Sequence, residues 1–356
     1  MNERLSAFWN NRPMIISGPC SAETPEQLIQ TAIELAKNPQ IGLLRAGIWK
    51  PRTKPGMFEG VGTIGLNWLN EAKNISGLPT TVEIANSQHV EQSLNHNVDV
   101  LWIGARTTVN PFSVQEIADS LKGVDIPVLI KNPINPDIEL WIGAIERIQK
   151  AGIKNIAIIH RGFSAFGNTE FRNPPMWQLP IEMKRRYPDL PIICDPSHIC
   201  GNRIMLSNVA QKSINLDFNG LMIESHIDPD NAWSDAAQQI TPSQLNKLLD
   251  ELIWRSAHVD SNKNSTSLLN LRAQIDLKDD ALIELLGERM KLADQIGLFK
   301  KENNITILQS ERWNEIINRV HDRAIELGLS ADFIKKYFDA VHIESINHQN
   351  NIMNQP

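Results

Sequence analysis

Eight short runs rich in Val, Ile and Leu recur through the first 226 residues, at 14–17, 42–46, 80–84, 98–103, 127–130, 156–159, 191–194 and 220–223. Each has the length of a strand, and none alternates as a half-solvated strand would, so they read as parallel strands buried on both faces. Segments with helical spacing lie between them, for example 25–36 and 141–151. Alternation of strand and helix carried through eight strands predicts an α/β fold, a closed (β/α)8 TIM barrel. With 42% apolar and 21% charged residues, such a core needs no covalent staple. The three cysteines lack CxxC spacing and fit a reducing compartment.

The pattern changes after a closing helix at 242–255. Residues 256–267 (SAHVDSNKNSTS) are small, polar and charged, and read as a linker. From Leu268 onward the spacing is helical, with Leu268, Leu271, Ile275, Leu282, Leu285, Leu286, Ala293 and Ile296 on one stripe. This first helix is expected to run about 30 residues, roughly 45 Å, too long to bury its stripe within a small monomer. A second helix starts at Ser310 and stops near Gly328, and Ser330 caps a third that runs to about Asn350. The expected organisation is a barrel at 1–255, a linker at 256–267 and a small all-α three-helix domain at 268–356. The helical domain should form an intertwined homodimer, with further pairing into tetramers left open.

A net charge of -6 and a pI near 5.9 provide no basic face for nucleic acid. Residues 1–11 are polar, and no run of about 18 apolar residues occurs, so neither a signal peptide nor a membrane span is expected. A cytoplasmic enzyme is the expectation.

Chemistry in a barrel sits where the strands end, on the face that carries the βα loops. Here those ends bring Cys20, Arg45 with Lys50 and Arg52, Glu83, Arg106, Lys131, Arg161, Asp195 with His198, and Glu224 with Asp235. A lone Arg or Lys is ordinarily a solvated end. Cations converging on one mouth repel unless a ligand supplies negative charge, and guanidinium forks match phosphate and carboxylate. The substrate should therefore be multiply anionic. Cys20, His198, Glu224 and Asp235 form a second set, whose mixed S, N and O donors suit a divalent transition metal such as Mn, Fe, Co or Zn. Cys194, Cys200 and His160 read as core residues.

The runs SGPCSAE (17–23), RAGIWKPRT (45–53), IGAR (103–106), DPSHICG (195–201) and GLMIESH (220–226) resemble the type I 3-deoxy-D-arabino-heptulosonate 7-phosphate (DAHP) synthases. That resemblance implies condensation of phosphoenolpyruvate with erythrose 4-phosphate and loss of inorganic phosphate. It implies that Cys20, His198, Glu224 and Asp235 hold the metal, and that Arg45, Lys50, Arg106, Lys131 and Arg161 clamp phosphoenolpyruvate. Arg52 and Thr53 would then meet erythrose 4-phosphate. A Lewis acid at the aldehyde oxygen stabilises the alkoxide as it forms. Lys50 is the candidate general acid for that oxygen, since a lysine crowded by arginines parts with its proton more readily. The sister family that makes 3-deoxy-octulosonate 8-phosphate uses the same barrel, but the Lys50-Pro-Arg-Thr53 tetrad favours the heptulosonate reaction. With the first strand starting so early, no N-terminal regulatory extension is expected, and control should come from elsewhere in the chain.

The pattern LRAQID (271–276), LLGERM (285–290), IGLFK (296–300) and Arg312 resembles the all-helical chorismate mutases. It implies that Arg272, Arg289, Lys300, Arg312, Ser345 and Gln349 line a site for chorismate and prephenate, with Lys300 and Gln349 stabilising the breaking ether oxygen. Arg289 and Lys300 fall about 20° apart in azimuth, whereas Arg272 is rotated about 100° away and could serve a facing subunit. Two positions depart from the family: Gln309 replaces an aspartate, and Trp313 replaces a glutamate that meets the substrate hydroxyl. A bifunctional enzyme is the first expectation, with prephenate bound in the helical domain inhibiting the barrel. The alternative is a synthase whose helical domain only dimerises and senses a ligand.

Overall fold

The runs of β-branched residues form strands because they fill both faces of a parallel sheet. The computed structural model describes residues 3–50, 56–167, 169–255 and 264–354. It contains all eight expected strands: β1 (Met14–Gly18), β2 (Ile41–Arg45), β3 (Thr80–Ile84), β4 (Val100–Ile103), β5 (Val128–Lys131), β6 (Ile156–His160), β7 (Ile192–Cys194) and β8 (Gly220–Glu224). They pair in sequence order into a closed parallel barrel, with β1 set against β8 from Met14↔Gly220 to Gly18↔Glu224. Side chains alternate across the sheet. Ile16, Leu43, Val100, Trp102, Leu129, Ala157, Ile159, Ile193 and Met222 fill the barrel, while Ile15, Leu44, Leu101, Val128 and Ile158 face the surrounding helices.

The helices cover that outer face by their apolar stripes. In Ile138–Lys150 the Asp137 carboxylate caps the first turn by accepting from the Glu139 and Leu140 amides. The same helix buries Trp141, Ile142, Ala144, Ile145 and Ile148, and each large side chain so buried contributes about 1.5–3 kcal/mol of transfer free energy. At the opposite end, Glu3–Asn10 is a helix within the segment read as a polar start. Leu5 and Phe8, three residues apart, join the interior cluster and plug the N-terminal mouth. The rim at the C-terminal ends of the strands is left to carry the chemistry.

The chain divides into two compact units, Met1–Ala257 and His258–Pro356. Among its described residues the second unit has three helices, Asn264–Glu302, Ser310–Glu326 and Ala331–Met353. The first of these begins inside the segment read as linker and runs 39 residues rather than about 30. No proline interrupts it, and a nucleated helix extends through Asn and Ser at little cost. Ser330 caps the third helix by accepting from the Phe333 amide, as expected. The stripe on the first helix is largely uncovered within one chain: Leu271, Ile275, Leu282 and Leu285 are 51–61% exposed. Among the described residues, no helix is long and apolar enough to cross a membrane.

Candidate active sites

The top of the barrel is assembled from the strand ends inward. Gly18 has φ +147°, and a Cβ there would stand 2.0 Å from the Arg45 carbonyl oxygen, so only glycine lets the end of β1 approach β2 this closely. The turn that follows buries Cys20, whose amide donates to Gln239 Oε1 at 2.8 Å and whose Sγ lies 3.3 Å from Asp235 Oδ2. Burial, then the Glu224 charge, pushes this thiol up to about 11. It holds its proton at neutral pH unless a cation displaces it.

β7 runs into the short helix Pro196–Cys200, which Asp195 caps by accepting from the His198 amide at 3.1 Å. The same carboxylate takes Lys131 Nζ at 2.8 Å and lies 2.8 Å from His198 Nδ1. Burial alone would raise the Asp195 carboxyl, but His198 and Lys131 hold it well below the usual range. Burial also lowers the His198 imidazole, which favours its neutral form. Its Nε2 lies 3.8 Å from Glu224 Oε1 at the end of β8. Glu224 Oε2 accepts from Gln238 Nε2 at 2.6 Å, and Oε1 lies 3.1 Å from Arg45. Asp235 sits just beyond in the left-handed region, φ +48°, a conformation uncommon for non-glycine residues though more accessible to Asp than to most. Burial raises its carboxyl, but Arg172 at 2.9 Å, then His198, bring it below the ordinary value.

These residues fall into two adjacent pairs, Cys20 with Asp235 and His198 with Glu224. Among the described residues, no three His, Cys, Asp or Glu side chains are grouped as an ion would require. The donor chemistry nonetheless fits a divalent metal. Glu224 Oε1 is buried and, apart from its 3.1 Å ion pair with Arg45, makes no hydrogen bond among the described residues, with the imidazole of His198 3.8 Å away and the displaceable thiol of Cys20 in the neighbouring pair with Asp235.

Lys50, Glu83, Arg106, Arg161, Arg172, His198 and Asp235 line one cavity on this rim. Arg161 donates to Asn173 Oδ1 at 2.7 Å, and burial brings its guanidinium down to about 10. Lys50 Nζ donates to the Cys20 carbonyl at 2.6 Å and stands near Glu224 and Asp235 as well as the arginines. Two expected clamp residues sit deeper. Arg45 is 1% exposed, lies against Glu224 and over the Trp102 ring, while Lys131 is tied to Asp195. Arg52 and Thr53 lie outside the described residues.

Sequence reasoning gave no role to two members of the cavity. Arg172 comes from the β6 loop rather than a strand end, so no periodicity marks it. Glu83 ends β3 and accepts from Trp102 Nε1 at 3.1 Å; a Cβ at Gly104 would meet its Oε1 at 2.0 Å, which explains that glycine. Cys194, Cys200 and His160 are buried in the core, as expected. A larger open groove, about 600 Å³, lies by Trp9, Lys154 and Tyr187, but its Arg186 is already paired with Glu139 and Glu182.

In the helical unit a cleft of about 330 Å³ gathers Arg289, Lys300, Arg312, Ser345 and Gln349. Lys300 Nζ donates to the Ile307 carbonyl at 2.6 Å and to Gln349 Oε1 at 3.1 Å, and Arg289 donates to Ser345 Oγ. Burial lowers both Lys300 and Arg289. Arg319, one heptad beyond Arg312, and His342 also line the cleft and carried no expectation. Arg272 is exposed and is not among the lining residues.

Fold and sites together define a class: a (β/α)8 enzyme whose rim gathers cations beside paired thiol, imidazole and carboxylate donors, joined to a helical unit with a cationic cleft. Residues 6–259 match the model of the DAHP synthetase I family, and residues 271–350 match chorismate mutase type II. The chain is 32% identical to a phospho-2-dehydro-3-deoxyheptonate aldolase of Thermotoga maritima, over 67% of this chain and 68% of that one. It is 28% identical to a 2-dehydro-3-deoxyphosphooctonate aldolase of Magnetococcus marinus, over 69% of this chain and 88% of the relative. A crystal structure of the T. maritima heptonate aldolase superposes with a TM-score of 0.60 at 30% identity, covering 67% of each chain. The chain belongs to the DAHP synthetase I family and carries a C-terminal chorismate mutase domain, which makes it a bifunctional enzyme of the shikimate pathway.

Proposed function

We propose that the barrel condenses phosphoenolpyruvate with erythrose 4-phosphate to DAHP and phosphate, and that the helical domain rearranges chorismate to prephenate. The observation that carries the first half is the rim cavity, where Lys50, Arg106, Arg161 and Arg172 stand beside His198 and Asp235. Arg106 and Arg161 bind the enol phosphate and its carboxylate, with Arg45 and Lys131 setting the field from beneath. Arg52 and Thr53 receive the phosphate of the sugar. Carbon 3 of the enol phosphate attacks the aldehyde, and water takes the place of phosphate at carbon 2. Lys50 delivers a proton to the aldehyde oxygen as it becomes a hydroxyl. Cys20, His198, Glu224 and Asp235 would hold a divalent transition metal, which when bound supplies Lewis-acid polarisation of that oxygen.

In the helical cleft the cations hold the two carboxylates of chorismate in the folded reactive shape, and Lys300 with Gln349 meets the ether oxygen as charge develops. The uncovered apolar stripe supports an intertwined homodimer, in which Arg272 of one chain would serve its partner's cleft. Prephenate held there should inhibit the barrel. Phosphate release measured with erythrose 4-phosphate against arabinose 5-phosphate tests the synthase assignment, and a preference for the five-carbon sugar would overturn it. Loss of chorismate absorbance tests the mutase.

A further inference from the structure

The helical cleft is short of acceptors. Its described lining contains Arg289, Lys300, Arg312 and Arg319 but no aspartate or glutamate. Gln349 Oε1 and the Ile307 carbonyl are taken by Lys300. Ser345 Oγ receives Arg289 and itself donates to the Val341 carbonyl at 2.8 Å. Gln309 also lines the cleft but is exposed, so burial does not strand its amide. Such a wall binds carboxylates well, yet chorismate also carries a ring hydroxyl, whose proton needs an acceptor once water is excluded.

His342 differs from these groups. Its ring lies flat on Trp313, with centroids 3.9 Å apart and planes 16° apart, so its place in the cleft wall is held by stacking. Its Nε2 is buried and has no hydrogen-bond partner among the described residues. A buried nitrogen left unpaired costs about 1–3 kcal/mol, which a ligand hydroxyl would recover. Burial, then the Arg289 charge and with it Lys300, lowers the imidazole against the opposing pull of Asp339, so the ring is neutral and keeps one acceptor nitrogen.

We infer that His342, seated by its stack on Trp313, accepts the hydrogen bond of the substrate's ring hydroxyl and so sets the specificity of the cleft. The inference rests on the mutase reading of that cleft. Trp313 acts as a positioning residue, and His342 touches the substrate.

The test compares two variants of the full-length protein, with chorismate KM read by absorbance and prephenate affinity by calorimetry. His342→Phe keeps a ring to stack on Trp313 and removes the acceptor, whereas His342→Gln keeps an acceptor and loses the stack. His342→Phe should weaken both quantities by about 10-fold or more, and His342→Gln by less. A dicarboxylate analogue lacking the ring hydroxyl should bind wild type and His342→Phe equally, which excludes a general loss of structure. The opposite order of the variants, or an analogue that still discriminates wild type from His342→Phe, overturns the assignment to His342. Wild-type protein that neither turns over chorismate nor binds prephenate overturns instead the mutase reading on which it stands.

Discussion

Replacing Asp195 by asparagine isolates the charge at the centre of the barrel rim. The side chains of Asp195 and Lys131 are 0% and 4% exposed, and they meet at 2.8 Å. Asparagine retains the oxygen that caps the helix bearing His198, so capping survives, but the Lys131 ammonium is left buried without its counter-charge. Removing one partner of a buried pair costs about 3–5 kcal/mol, and loss of the cap would add about 1 kcal/mol more in Asp195→Ala. For a domain of this size, 3 kcal/mol corresponds to about 6–12 °C in Tm. Every tryptophan except Trp313 lies in the barrel unit, so fluorescence-detected unfolding reports on the right transition. The carboxyl is depressed in the folded state, so its stabilisation is complete above the unfolded value near pH 4 and fades as pH falls through the folded one. The gap between wild type and Asp195→Asn should therefore narrow in strong acid. A variant within about 0.5 kcal/mol of wild type at pH 7 would show that the pair does not organise the rim, and the electrostatic account of the site would fail.

Lys300→Ala should lower chorismate turnover by about 100-fold or more while phosphate release persists, and an unchanged mutase rate would remove Lys300 from the chemistry. Because burial lowers the Lys300 ammonium, wild-type mutase activity should hold at neutral pH and decline as pH rises toward its ordinary value; a flat alkaline limb would contradict this. Chelation with EDTA should abolish phosphate release and added manganese should restore it, whereas full activity in EDTA would disprove the role given to Cys20 and His198. Saturating prephenate should slow the barrel, and an unaltered synthase velocity would reject communication between the units.

Much of the rim was legible because barrel geometry sends strand-end residues to one face, so Cys20, Arg106, Arg161, His198 and Asp235 could be grouped from order alone. The depth of each residue was not legible. Arg45 and Lys131 read as ligand clamps, yet they are neutralised beneath the cavity by Glu224 and Asp195. The cations were therefore not waiting for a substrate alone, since acids from other strands share the work. Arg172 escaped notice because it leaves an irregular loop and gains its meaning only from contact with Asp235.

Residue periodicity by itself determined the eight strands, the change to helix past the barrel, read from Leu268 and observed from Asn264, and the uncovered stripe, because period and burial are local consequences of side-chain alternation. Only the tertiary structure decided which charges cancel, which ring stacks on Trp313 and which buried atoms stay unpaired. Those outcomes depend on distances between residues far apart in the chain, such as Lys131 and Asp195, 64 positions apart, or Cys20 and Asp235, 215 apart, and a linear pattern carries no measure of such distances.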